Sequence, residues 1–279
     1  MPAFTAFDGT TIAYHESGSG SPLICLPGGP MQDSAYLADL GGLDAHRRLV
    51  KLDPRGTGGS ATPADPETYR CDRQVDDVEA LRTHLGLDRM TLLGHSAGTN
   101  LALQYAISHP GRVAALVLVT PSPMGAGIEV TGHDRLDVAR LRAAEPWYPR
   151  AYAALEAVVA GTGADWDALD PFLYGRWDDE TRRYHAAQAP ARNTDAAAVF
   201  GSAFDPDATR KALAALDVPA LVLAGEVDLN TPPSAAEKLA ALLPSAETVV
   251  QPAAAHFPWR DDPPRFVRTI ETFLGRRPR

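Results

Sequence analysis

With 279 residues, 45% of them hydrophobic and 22% charged, the chain has globular composition and the length for two domains or one large domain with an insertion. A formal net charge of -9 repels a phosphate backbone and argues against nucleic-acid binding. Two cysteines, Cys25 and Cys71, with no Cys-x-x-Cys pair, exclude a disulfide framework and a thiolate zinc site.

In chain order, residues 3–7 and 11–16 alternate apolar and polar, and Asp8-Gly9 between them predicts a hairpin turn. Residues 22–26, 48–53, 90–93, 114–119, 220–224 and 247–251 are near-continuous apolar runs, as expected of strands buried on both faces of a mainly parallel sheet. Residues 72–85 place Val75, Val78, Leu81 and Leu85 on one helical face, and Gly86 ends the helix. Residues 97–109 repeat the pattern with Leu101, Ala102, Tyr105 and Ala106 and stop before Pro110. Thr231 followed by Pro232 predicts an N-cap and first turn of a helix reaching residue 243, and residues 266–274 form the final helix. This alternation predicts an α/β architecture, a doubly wound sheet of eight strands. Between Pro121 and Asp207 the strand pattern stops and Trp147, Trp166 and Trp177 cluster among prolines. Residues 122–208 are therefore expected to form a helical cap inserted in a core of residues 1–121 and 209–279. An N-terminus without a basic leader or apolar core, and an uncharged stretch at 113–128 too short to span a membrane, predict a cytoplasmic protein with no membrane partner.

Gly94-His95-Ser96-Ala97-Gly98 fits G-x-S-x-G between a predicted strand and a predicted helix, the setting that lifts a serine hydroxyl above a sheet edge. Ser96 is the expected nucleophile. A serine hydroxyl needs a base and the base needs an orienting acid. Of eight histidines, His256 alone follows the last strand and precedes the last helix. His95 flanks the serine and should point away from it. Asp228 lies between serine and histidine in the chain, after the strand at 220–224, with Glu226 as the second choice; Asp53 reads as part of a structural turn. The expected triad is Ser96, Asp228 and His256. Ala97 supplies one backbone amide for an oxyanion hole, and the loop Pro27-Gly28-Gly29-Pro30 supplies the other, from Gly29 with Gly28 second. Gly56-Thr-Gly58-Gly59-Ser-Ala61 fits a dinucleotide-binding spacing, but Pro63 and Pro66 leave no helix to hold a pyrophosphate. No metal-ligand motif and no P-loop is present, so no metal or cofactor is expected. Trp147, Tyr148, Tyr174 and Trp177 are the cap aromatics that would line a substrate pocket.

The chain is similar to α/β-hydrolases over nearly its whole length, and within them to proline iminopeptidases and their relatives. Residues 26–30, Asp53-Pro-Arg55-Gly56-Thr-Gly58-Gly-Ser60, residues 77–82, the Ser96 pentapeptide, His109-Pro110, residues 225–228 and His256 carry the resemblance. It departs where Pro27 and Met31 flank Gly-Gly-Pro and where His95 and Ala97 flank the serine. The resemblance implies the α/β-hydrolase fold with a helical cap, and a cofactor-free serine hydrolase cleaving a small ester, amide or short peptide through an acyl-enzyme. That family takes a substrate's free amine on carboxylates in and near the cap, where Glu145, Asp178, Asp179 and Glu180 stand here. The alternatives are a carboxylesterase or lactonase-type acyl hydrolase, a cofactor-free haloperoxidase or lyase, and a non-catalytic receptor on the same body.

Overall fold

The computed structural model describes residues 1–163, 165–188 and 192–276. Eight strands form one sheet: β1 (Ala3–Thr5), β2 (Thr11–Ser17), β3 (Pro22–Leu26), β4 (Arg48–Leu52), β5 (Met90–His95), β6 (Val113–Val119), β7 (Ala220–Gly225) and β8 (Ala246–Gln251). Their spatial order is β1-β2-β4-β3-β5-β6-β7-β8. The pairs β1–β2 and β2–β4 are antiparallel and every other pair is parallel.

The apolar runs are explained by burial on two faces. Ile24, Leu26, Leu92, Leu116, Leu118 and Val222 pack with helices α1 (Cys71–His84) and α2 (Gly98–Ser108) through Val78, Leu81, Leu101 and Ala102. Their odd-numbered neighbours Leu23, Cys25, Leu93, Val117 and Leu221 face the opposite way, onto Trp259, Phe266, Ile270 and Phe273. Period-two alternation inside an all-apolar strand thus feeds two cores at once.

The insertion is helical: α3 (Gly132–Arg140), α4 (Tyr148–Ala160), α5 (Asp179–Gln188), α6 (Thr194–Phe200) and α7 (Pro206–Ala214). Helix α3 starts in a capping box, with Thr131 and Asp134 satisfying each other's backbone amides. Its small core joins Ala139, Ala151, Leu155 and Phe172 to Leu229, from the loop after β7. Helix α7 straddles the expected boundary at 208/209 and sends Leu213 into the sheet's core. After β7 come α8 (Pro233–Ala240), and then α9 (Pro258–Asp261) and α10 (Pro263–Gly275).

Two local expectations are corrected. Strand β1 ends at Thr5, because Ala6 exchanges hydrogen bonds with Gly9 and Thr10 and begins the turn two residues early. Thr231 does not cap α8: its hydroxyl turns to the Thr120 carbonyl at 3.5 Å, Pro232 holds the cap position without a side-chain bond, and the helix ends at Ala240. Among the described residues no helix is long and apolar enough to cross a membrane.

One consequence of the strand order positions everything that follows. After β3 the chain moves outward to β4, then returns to the other side of β3 to lay down β5. The loops leaving β3 and β5 therefore diverge at neighbouring carboxyl ends, with Leu26 opposite Gly94, and a crevice opens there.

Candidate active site

Ser96 sits at the top of β5 with φ +50°, a left-handed conformation that a non-glycine residue adopts only under constraint. The constraint is visible. Ser96 donates its amide to Val119 at 3.0 Å, and its carbonyl accepts from the amides of Thr99 and Ser122 at 3.1 Å each. The flanking glycines are required sterically. A Cβ on Gly94 would lie 2.8 Å from Thr99 Cα, and one on Gly98 would collide with the carbonyl oxygens of Leu26 and Pro27. The tight strand-to-helix turn read from the sequence has its cause in these two approaches.

His256 and Asp228 meet in the interior. His256 Nδ1 lies 2.8 Å from Asp228 Oδ2, with Asp228 1% and His256 6% exposed. Asp228 Oδ1 accepts the Asn230 amide at 2.8 Å, which fixes the carboxylate plane. Because a carboxylate only accepts, Nδ1 carries the proton of this pair and Nε2 is the basic nitrogen. Glu226, the other acid of the loop, is exposed and accepts the Ala253 amide at 2.7 Å instead. The histidine's backbone is tied to the serine's surroundings: its carbonyl accepts from Thr120 Oγ1 at 3.0 Å and from His95 Nε2 at 2.9 Å.

That last bond fixes the His95 tautomer. A carbonyl cannot donate, so His95 Nε2 is protonated and Nδ1 accepts from the Tyr36 hydroxyl at 2.7 Å, while Tyr36 accepts the Gly28 amide at 2.6 Å. Burial, with His256 nearby as a second cause, holds the His95 imidazole well below its ordinary pKa, so it stays neutral. His95 does turn away from the serine's open side, into a relay of Gly28, Tyr36, His95 and His256. Five of the other six histidines contact groups elsewhere: His15 with Asp53, His84 with Tyr14, His133 with Asp137, His185 with Asp170, and His109 against the Tyr105 ring.

The relay settles which loop amides remain open. Gly28 is committed to Tyr36, whereas the amides of Gly29 and Ala97 have no acceptor among the described residues. Both line, with Ser96, a cavity of about 500 Å³. Its other walls are Pro30, Asn100, Ser122, Pro123, Met124, Arg192, Ala197, Phe200, Gly201, Phe204, Asn230 and Thr231. Arg192 is the one charged side chain among these, and no carboxylate is present.

The four aromatics expected at the pocket are not among its walls. Trp147 packs edge-on to Phe172 at 5.0 Å and Tyr148 stacks on Tyr152 at 5.0 Å, within the insertion's own core. Tyr174 is buried, stacked on Phe257 at 5.1 Å and on Trp177 at 5.6 Å. Trp147 and Trp177 line a separate cleft. The apolar walls come instead from Met124, Phe200 and Phe204. Met124 was detectable as part of a loop leaving a strand at the site edge. Phe200 and Phe204 carry no motif, and only their contact with one cavity identifies them. Among the described residues no group of three or more His, Cys, Asp or Glu is placed to hold a metal ion.

Residues 21–263 match the family described as alpha/beta hydrolase fold. Among curated proteins the chain is 25% identical to a proline iminopeptidase of Heyndrickxia coagulans, over 94% of this chain and 93% of that protein. It is 26% identical to a pimeloyl–acyl-carrier-protein methyl ester esterase of Aeromonas hydrophila, over 95% and 100%. Among solved structures, an esterase from a Rhodococcus species superposes with a TM-score of 0.74 at 26% identity, covering 98% of each chain.

Proposed function

The chain belongs to the alpha/beta hydrolase fold family, and from that premise we propose that it is a serine hydrolase cleaving a small ester through an acyl-enzyme. The observation that carries the reading is the buried Asp228–His256 pair, whose Nε2 has no partner among the described residues and whose histidine backbone carbonyl is anchored to His95, next to Ser96, and to Thr120 after β6. In this mechanism His256 Nε2 takes the proton of Ser96 Oγ as the oxygen attacks the ester carbonyl. Asp228 holds the imidazole orientation and stabilises the imidazolium. The amides of Gly29 and Ala97 receive the oxyanion, each such donor contributing about 10²–10³ in rate. His256 then protonates the leaving alkoxide, and water, activated by the same nitrogen, releases the acid.

Ester rather than aminoacyl substrates are favoured by the charge of the cavity. A free α-amine would need a carboxylate, and none lines the walls. The acids named for that role are engaged elsewhere: Glu145 by Arg142, Asp178 by Arg176, Asp179 by Arg182, and Glu180 by Arg260. The esterases among the relatives support the same choice.

The test combines a fluorophosphonate probe, read by intact mass, with p-nitrophenyl esters and aminoacyl p-nitroanilides that include proline. Labelling at Ser96 and ester cleavage are expected. Ser96→Ala is expected to lower turnover by about 10⁴-fold or more while unfolding at the same denaturant concentration. Full activity in that variant rejects the mechanism, and cleavage of the proline anilide alone restores the iminopeptidase reading.

A further inference from the structure

The charge of the cavity says more than the absence of an amine site. Arg192 Nε donates to the Pro30 carbonyl at 3.2 Å, which seats the guanidinium on the loop that carries the Gly29 amide. The backbone holds it there: Arg192 bridges Gln32 in antiparallel fashion, and Asn193 donates its amide to Met31 at 2.9 Å and its side chain to Gly56 at 2.9 Å. Neither Nη1 nor Nη2 has an acceptor among the described residues. Arg142, Arg150, Arg176 and Arg182 of the same insertion each pair with a carboxylate, while Arg135 and Arg183, like Arg192, bond only to a backbone carbonyl; of these three, Arg192 alone lines the cavity that holds Ser96. A planar fork with its outer donors unused, anchored through the inner one at a cavity wall, is the arrangement that receives a carboxylate. Helix α2 adds positive potential of the same sign, since its N-terminus opens onto the cavity with no acidic residue in its first turn. In a molecule of net charge -9 this cavity wall therefore carries charge of the opposite sign.

We propose that Arg192 binds an ionised carboxyl group of the substrate, so that the preferred esters are those carrying a free carboxylate. The inference rests on the serine-hydrolase reading and names its substrate class. The matched probes are mono-p-nitrophenyl glutarate and p-nitrophenyl valerate, which share a five-carbon acyl chain and differ by one charge. The native chain is expected to show a lower KM for the glutarate, and added salt to narrow the difference, because the guanidinium is exposed. Arg192→Ala should raise KM for the glutarate about 10–100-fold more than it raises KM for the valerate. Arg192→Lys should fall between them, keeping the charge and losing the fork.

A separate binding measurement, monomethyl glutarate titrated into Ser96→Ala with and without Arg192→Ala, keeps the two readings apart. Binding that disappears with Arg192 supports the inference even if neither ester turns over, an outcome that rejects the hydrolase reading alone. Equal KM values for the two esters in the native chain, or monomethyl glutarate binding unaffected by Arg192→Ala, overturn the inference and leave the hydrolase standing. No binding of monomethyl glutarate to Ser96→Ala also overturns it.

Discussion

At Tyr36 one phenol oxygen joins two parts of the site, accepting from Gly28 at 2.6 Å and donating to His95 at 2.7 Å. Tyr36→Phe would strand a buried amide and a buried ring nitrogen. The expected result is a loss of about 1–3 kcal/mol, read as a lower urea midpoint at unchanged slope. An unchanged midpoint would mean the relay is decorative. At this scale Ser96, Asp228 and His256 were legible as candidates because each follows a strand, and chain order separates Asp228 from Asp53 though not from Glu226, which the same loop carries. Tyr36 and Arg192 were not legible. Their roles depend on which groups the fold leaves without partners, and no spacing along the chain encodes that.

Among elements, the tie that holds the β4 loop is Arg55, fully buried, with Nε and Nη2 on the two oxygens of Asp77 in α1 and Nη1 on Asp8 of the β1–β2 turn at 2.7 Å. Three segments distant in sequence meet on one guanidinium. Asp77→Ala leaves that charge buried with only half of its partners, and a loss of about 3–5 kcal/mol is expected in urea denaturation. A loss under ~1 kcal/mol would show that Asp8 compensates. The central strands were readable from sequence because that part of the sheet is buried on both faces and gives apolar runs, whereas β1 and β2 showed by alternation and β8, half-exposed, gave the weakest run. The insertion was readable only as a break in that rhythm. Its aromatics pack on one another, and aromatic content alone does not say whether a ring faces a cavity or a neighbouring helix. Helix α7 likewise has one polar and one core-directed face, so composition gave no sign that it crosses from the insertion to the sheet.

Across the whole molecule, Asp261 fastens insertion to core: its oxygens accept the amides of Gly175 at 2.9 Å and Ala255 at 2.8 Å, the latter next to His256. Burial pushes its carboxyl up to about 6, and these two hydrogen bonds offset only part of the shift. The folded chain thus keeps a proton that the unfolded chain has already released. Its stabilisation is complete below about pH 4 and disappears as the pH rises through 6, a change on the order of 2–3 kcal/mol. Urea unfolding from pH 4 to 7 should show that decline in the native chain and lose it in Asp261→Asn; equal slopes in both would assign the decline to other groups. The cavity has a parallel consequence at this scale. The proposed chemistry lies in loops of the sheet, whereas Arg192, Ala197, Phe200, Gly201 and Phe204 come from one short stretch of the insertion. On the proposed reading, reactivity and much of the selectivity reside in separate segments of the chain. Exchange of that single stretch between relatives could redirect such a catalyst to a new compound in one genetic event, with the bond-breaking apparatus untouched.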